Sequence, residues 1–480
     1  MSMNYIKSVF AAILFISIYS CSPKTAPVII ETPVVEDPTK QEPKNPCQTF
    51  ADLSNAERDE VETAYVLYKD LIKLGKYEEA FPLWTKAYYG APASNGKVKY
   101  QFDDGVMIYT NKYNNASDTT KRQIFVDSVM SIYNKRMECF GEEAYTKGRM
   151  AFDYYYTFPG TKSEDEIYEM FKINFDVNGK NADYFVVNPF TKMLSDRIIA
   201  GTISNEEGRK YAKLIGQTVE NGQANCKGVL CESWAIIADY APARLESLEG
   251  IDGFYDCDYY ADKYYVRFEE DPTNCDMINL VGRRLKRGGC AIDDPRLVKV
   301  TAAYTASCKV ESPSSGLLAQ AFEAYNDGRY REAIELFKQY VDGESDPAKK
   351  FKYTMVIGKI YYGDLKDFPK SRQAARDASQ IDPTSGEPYM LIGKLYASSG
   401  PLCGSGRGWN SQVVTWPAID MFTKAKNLDS NVADEANKFI RQYKQYMPTK
   451  EEIFQRRLKV GDRFKVPCWI QESTTIRSVD

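Results

Sequence analysis

The sequence predicts an all-α protein, an α-solenoid of stacked helical hairpins that ends in a short β-hairpin or an extended tail. Three observations predict this fold. A short motif of small and large apolar residues at helical spacing recurs along the chain. Helical periodicity continues between the motifs, for example over residues 121–140, 167–175 and 208–219. The last residues change to an extended pattern that a turn interrupts.

The chain begins with an apolar segment that is too short to cross a membrane. Residues 9–18 are almost wholly apolar, which is about half of the roughly twenty residues that a bilayer requires. Such a segment is typical of a secretory signal peptide. Cys21 follows Ser20 directly and resembles the lipidated cysteine of a lipobox, although Tyr19 is bulkier than usual there. We predict a lipoprotein signal peptide over 1–20 and lipidation at Cys21; the alternative is an ordinary signal peptide.

Residues 21–50 are rich in proline and poor in aromatic residues. Such a composition cannot bury a hydrophobic core, so an extended tether between anchor and folded chain is expected.

Four copies of one motif predict helical hairpins. Each contains a glycine followed by a tyrosine two or three residues later, and three of them add a spacing of the type Ala-x-x-x-Phe or Ala-x-x-x-Trp. The residues predicted to pack within and between hairpins are Gly75, Tyr77, Ala80, Trp84, Gly328, Tyr330, Ala333, Phe337, Gly358, Tyr361, Gly393, Tyr396, Ala418 and Phe422. Small residues allow two helices to approach, and large ones fill the space between neighbouring hairpins. This pattern resembles the tetratricopeptide repeat (TPR), in which several hairpins must stack to bury a common core.

The quality of the motif distinguishes two parts of the folded chain. Residues 311–450 carry well-formed TPR motifs, whereas 51–310 keep helical periodicity with a degenerate signature. Between Tyr396 and Ala418 the third C-terminal unit is interrupted by a longer segment. Arg407 and Trp409 in this segment are candidates for a binding loop; the alternative is a loop held by Cys403. A phosphate loop is disfavoured because the Lys-Ser/Thr ending is missing.

Residues 451–480 are predicted to form an extended C-terminal cap. Residues 461–470 have an extended pattern that resumes at Ser473, which suggests a hairpin over the exposed end of the array. Cys468 is a candidate partner for Cys403, because both belong to this end.

Composition excludes several chemistries. The chain has no histidine, so Ser-His-Asp catalysis, Cys-His catalysis and His-ligated zinc are impossible. Carboxylate-based enzymes remain possible. A net charge of −4 over 480 residues is unlike the basic footprint of nucleic-acid binders. We predict no catalytic residues, no cofactor, no metal and no nucleic-acid partner.

Ten cysteines remain after Cys21. Export favours disulfides, and the lack of a Cys-x-x-Cys pair disfavours structural zinc. Free buried thiols stay open for Cys139 and Cys308.

The chain resembles exported TPR lipoproteins of the Bacteroidetes type. The residues that carry this resemblance are Asp104-Gly105, Ile132-Tyr133 with Arg136, Cys139 and Glu143, Trp416-Pro417-Ala418 with Asp420 and Phe422, Gly461-Asp462, and Cys468-Trp469-Ile470. The resemblance implies an all-helical lipoprotein attached to the outer membrane and implies no activity. Ser22-Pro23-Lys24 lacks the acidic cluster of surface-exposed lipoproteins in this group, which favours a periplasm-facing protein.

Three functions stay open, and the third of them is a purely structural envelope protein or an unrecognised enzyme. The first is a membrane-anchored scaffold that binds envelope proteins or peptides without catalysis, since stacked hairpins offer a groove and need no reactive groups. The alternative is a protein that binds or processes carbohydrate for nutrient uptake. Its candidates are the tyrosines at 154–156, 259–260 and 264–265, although tyrosine is also common as packing in TPR helices. A continuous groove lined by Tyr, Asn and Arg from the first helices of several hairpins would favour the scaffold.

Overall fold

The structure is a computed structural model that describes residues 45–308, 316–404 and 406–479. The predicted signal peptide, Cys21 and most of the predicted tether lie outside these residues. The described chain is all-α except for one two-stranded sheet, as predicted. It divides into two compact units, one ending at Gln101 and one beginning at Phe102. The predicted boundary at residue 310 falls inside the second unit.

The first unit consists of a short 3₁₀ turn, Phe50–Asp52, and two paired helices, α1 (Asn55–Lys73) and α2 (Tyr77–Gly90). α1 begins where it does because Ser54 accepts a hydrogen bond from the backbone of Glu57 and closes a capping box. Ala80 and Trp84 are buried. A Cβ at Gly90 would lie 2.5 Å from a methyl group of Val61, so this position brings the two helices close together.

Most of the chain is a succession of helices that pack in pairs. The first of these are α3 (Tyr100–Asn115), α4 (Thr119–Phe140), α5 (Glu143–Phe152), α6 (Glu164–Asn178), α7 (Tyr184–Ala200), α8 (Asn205–Asn225), α9 (Leu230–Ser247), α10 (Cys257–Tyr260), α11 (Val266–Glu270), α12 (Cys275–Arg287) and α13 (Pro295–Ser307). π-helical turns at Asp153–Thr157 and Ala261–Tyr265 extend α5 and join α10 to α11. The helices predicted over 121–140, 167–175 and 208–219 lie within α4, α6 and α8. Asp118, Ser163 and Ser204 cap their first turns.

The C-terminal helices also pack in pairs. They are α14 (Leu317–Asn326), α15 (Tyr330–Gly343), α16 (Pro347–Gly363), α17 (Phe368–Ile381), α18 (Glu387–Ala397), α19 (Gly400–Cys403), α20 (Trp409–Gln412), α21 (Thr415–Leu428), α22 (Ala433–Lys444) and α23 (Lys450–Gln455). α14 packs on α15, α16 on α17 and α18 on α21. A Cβ at Gly393 would lie 2.5 Å from the ring of Phe422, so glycine allows the contact between α18 and α21. The interrupting segment contains two short helices, α19 and α20, instead of a plain loop.

The predicted C-terminal hairpin is present. β1 (Arg463–Lys465) pairs antiparallel with β2 (Ser473–Thr475), and Phe464 stands opposite Thr474. The hairpin packs on α21, where the Trp416 indole donates to the carbonyl of Arg477 at 2.8 Å. The predicted bond between Cys403 and Cys468 is confirmed.

All ten cysteines after Cys21 are in disulfides, as predicted. The alternative of free thiols at Cys139 and Cys308 is wrong, because both are bonded. Among the described helices, none is long and apolar enough to cross a membrane.

A candidate protein-binding groove

The candidate site begins with the helical hairpin of α12 and α13, which two disulfides hold. Cys275 opens α12 and bonds to Cys308, directly after α13, with 5.3 Å between the Cα atoms. Cys257, the first residue of α10, bonds to Cys290 in the loop between α12 and α13. Each bridge closes a separation of 33 residues. The start of α12 is therefore fixed beside the end of α13.

Helix α14 forms the third wall, and Gly328 sets its position. Gly328 follows α14 with a φ of 75°, a conformation that favours glycine. A Cβ there would lie 2.9 Å from the Cβ of Arg287 and 3.0 Å from the carbonyl oxygen of Arg283. The turn after α14 therefore approaches the backbone of α12 more closely than any other residue type allows.

The three helices enclose a groove of about 340 Å³, within the range of roughly 300–1,000 Å³ typical of ligand sites. Its floor is apolar. Ile278 of α12 and Leu297 and Val300 of α13 are buried there, and Phe322 of α14 is half-buried beside them. The groove therefore offers apolar surface to a side chain that enters it.

The rim of the groove is polar on all three sides. Its polar residues are Asn279, Arg283 and Lys286 from α12, Thr301 and Tyr304 from α13, and Glu323, Asn326 and Asp327 from α14 and its end. The ammonium of Lys286 lies 2.7 Å from a carboxylate oxygen of Asp327 and links two of the walls. Amide, hydroxyl and guanidinium groups at such a rim can fix the orientation of a bound chain by hydrogen bonds.

A buried carboxylate lies behind α12. The side chain of Glu249 is completely buried and accepts hydrogen bonds from Tyr259 at 3.0 Å and Tyr264 at 2.8 Å. The Lys263 ammonium lies 2.7 Å from it, and the Arg284 guanidinium of α12 lies 3.6 Å from it. Burial, and then the charge of Glu249, raises the pKa of Tyr264. This network keeps the buried charges paired, as a low-dielectric interior requires.

Arg284 extends the network to the later helices. It donates to the carbonyl of Gly363 at 3.0 Å and lies 3.7 Å from the buried carboxylate of Asp364. One arginine therefore connects α12 with both the preceding and the following parts of the second unit.

The predicted repeat-packing residues occupy the interior or tight turns. Ala80, Trp84, Tyr330, Ala333, Phe337, Tyr361, Tyr396, Ala418 and Phe422 are buried, and Tyr77 is half-buried. Gly75 and Gly328 have positive φ, and Gly358 and Gly393 lie at close helix contacts. Of these residues, Gly328 also shapes the groove.

The structure places the predicted binding loop elsewhere. Trp409 is half-buried, packs edge-on against Trp416 and Phe464, and carries Arg456 4.5 Å above its ring. Arg407 is exposed and pairs with Asp239 at 3.3 Å. Neither lines the groove.

Most tyrosines of the carbohydrate alternative pack inside the protein. Tyr154, Tyr260 and Tyr264 are buried, and Tyr259 stacks on Tyr255 with 3.5 Å between the ring centroids. Tyr156 is exposed. These segments therefore do not form a row of exposed rings.

Cys257, Cys290 and Asp294 form the one cluster of metal-ligating residue types found among the described residues, within 4.8 Å of one another. The two sulfurs are bonded to each other, so neither is a thiolate ligand. Asp294 instead accepts a hydrogen bond from Arg296 at 2.7 Å, and this bond lowers the pKa of Asp294 to about 2.

Sequence reasoning missed the groove, because α12 and α13 lie where the TPR signature is degenerate. A signal was present in the cysteines. The separation from Cys257 to Cys290 equals that from Cys275 to Cys308, and it is close to the length of one TPR unit.

No protein-family model matches the chain, and a search of curated proteins finds no match either. Function must therefore be inferred from the groove and the sequence motifs.

Proposed function

We propose that this protein is a lipid-anchored scaffold that binds segments of other proteins in the bacterial cell envelope and has no catalytic role. The groove between α12, α13 and α14 carries the proposal. Its apolar floor and its rim of Arg, Asn and Tyr side chains suit an extended peptide. Such binding needs no cofactor.

The proposed architecture is a TPR-like solenoid. Consecutive packing of α14 on α15, α15 on α16, α16 on α17 and α17 on α18 supports it, as does the burial of Ala333, Phe337 and Phe422 at motif positions. In such an array each hairpin contacts its neighbours, and the surface between hairpins is available for partners.

We propose an outer-membrane lipoprotein that faces the periplasm and is lipidated at Cys21. The apolar segment at 9–18 followed by Cys21 supports an exported, lipidated chain. The oxidised state of the ten later cysteines is typical of proteins outside the cytosol. The proposed membrane contact is the N-terminal lipid anchor.

The carbohydrate alternative receives less support, because most of its tyrosines pack against other side chains. The scaffold is therefore favoured, and its partners are proteins or peptides of the envelope.

Filling the groove tests the proposal. Ala319 of α14 lines the groove, whereas its neighbour Gln320 is exposed and does not. Ala319→Trp and Gln320→Trp add the same indole inside and outside the groove. Proteins that co-purify with the tagged chain from crosslinked envelopes should be lost with Ala319→Trp and retained with Gln320→Trp. Companions that both variants retain would refute the groove as the binding site.

A further inference from the structure

Building on the binding role proposed above, we propose that the groove selects a peptide segment in which an acidic side chain stands next to apolar ones. The acidic side chain binds Arg283, and the apolar side chains occupy the floor formed by Leu297, Val300 and Phe322.

The charges of α12 single out Arg283. The last two turns of this helix carry four basic residues. Three of them have carboxylate partners within 4.0 Å: Arg284 with Glu249 and Asp364, Lys286 with Asp327, and Arg287 with Asp252. Arg283 has no such partner in the described part of the chain, although it is half-buried and lines the groove. Among the described residues, it is therefore the one cation lining the groove that has no carboxylate within 4.0 Å.

The position of the Arg283 guanidinium is fixed. Its Cζ lies 4.5 Å from the ring centroid of Tyr325, a cation–π contact. Its Nε is buried and has no hydrogen-bond acceptor within the described residues. Because Nε is out of reach of a ligand, a carboxylate would bind the terminal N–H groups of the guanidinium with two parallel hydrogen bonds.

The carboxylates of the opposite wall do not satisfy Arg283. Asp327 is engaged by Lys286 at 2.7 Å and by Arg329 at 3.3 Å. Glu323 is exposed, so water compensates its charge and a basic ligand group would gain little there. The strongest charge interaction left for a ligand is therefore an acidic group at Arg283, beside the apolar floor.

Peptide selection tests this specificity. A phage library of random twelve-residue peptides is selected on the oxidised full chain in detergent, and the best binder is synthesised with a fluorescent label. We expect Asp or Glu within two positions of Leu, Ile or Phe. Arg283→Gln should weaken binding on the order of tenfold or more, the usual effect of a charge-assisted hydrogen bond. Lys299→Gln, which removes an exposed charge on the same helical hairpin, should leave it unchanged.

Charge reversal completes the test. Arg283→Glu should reject the acidic peptide and accept the same peptide with lysine at the acidic position. Peptides that Ala319→Trp blocks but Arg283→Gln does not weaken would overturn the acidic specificity and leave the binding role intact. If Ala319→Trp blocks no selected peptide, the proposed function fails as well.

Discussion

Replacing Cys275 and Cys308 by alanine should make the local opening of α13, one wall of the groove, easier. The bridge closes a 33-residue separation around both α12 and α13. The remaining bridge from Cys257 ends at Cys290, before α13 begins at Pro295. It therefore cannot hold that helix. A helix of 13 residues is too short to be stable alone in water.

The expected change in the free energy of local opening follows from the conformational entropy of the chain. Closing a loop of 33 residues lowers the entropy of the opened segment by an amount worth about 3.7 kcal/mol at 25 °C. The same relation gives about 2 kcal/mol for the bridge of Cys226 and Cys231, whose separation is 5 residues. The free energy of local opening of α13 should therefore fall by roughly 3–4 kcal/mol when Cys275 and Cys308 are replaced.

Hydrogen exchange measures this opening directly. Under non-reducing conditions the α13 amides of the double variant should exchange roughly several hundred times faster, because each 1.4 kcal/mol corresponds to a factor of ten. Alanine at Cys226 and Cys231 should leave α13 unchanged, since that bridge belongs to the junction of α8 and α9. Unchanged exchange of α13 in the Cys275 and Cys308 variant would refute the view that this bridge holds the wall.

Three further predictions concern the support of the groove and the anchor. Glu249→Ala should lower the free energy of unfolding by about 3–5 kcal/mol, because it leaves the buried Arg284 short of a partner; a thermal melting point within two degrees of wild type would contradict this. Gly328→Ala should cost roughly 1–2 kcal/mol for the left-handed backbone alone, whereas Gly216→Ala, in open space within α8, should stabilise by about 0.5–1 kcal/mol; denaturant unfolding that shows the same sign for both would be inconsistent with the described contacts. Cys21→Ala should move the chain from the membrane fraction to the soluble fraction and abolish labelling by a fatty-acid probe, and a variant that stays labelled would exclude lipidation at Cys21.

The sequence predicted burial best for side chains that pack within one helical hairpin. Ala333, Phe337 and Phe422 stand at helical spacing and are buried, because periodicity records directly which face of a helix meets its partner. The C-terminal hairpin and its bond from Cys403 to Cys468 could be predicted for a similar reason. Both belong to the C-terminal part of the chain, where the sequence changes from helical to extended spacing.

The groove could not be predicted, because it depends on contacts between distant residues. Glu249 and Asp364 meet at Arg284 only in the folded chain, and no local pattern marks a residue as the partner of another so far away. Gly328 was predicted to pack within or between hairpins, yet its approach to the α12 backbone became visible only in three dimensions. Disulfide connectivity among many cysteines is likewise not encoded locally. The four-residue helices α19 and α20 are too short to show periodicity.

Photo-crosslinking from inside the groove would test the central claim most directly. Thr301 lines the groove, and Ala306 is exposed on the same helix about 140° further around its axis. A benzophenone amino acid at position 301 of the chain in its native envelope should yield a protein adduct that the same probe at position 306 does not. Equal adducts from both positions, or none from 301, would contradict a protein-binding groove between α12, α13 and α14.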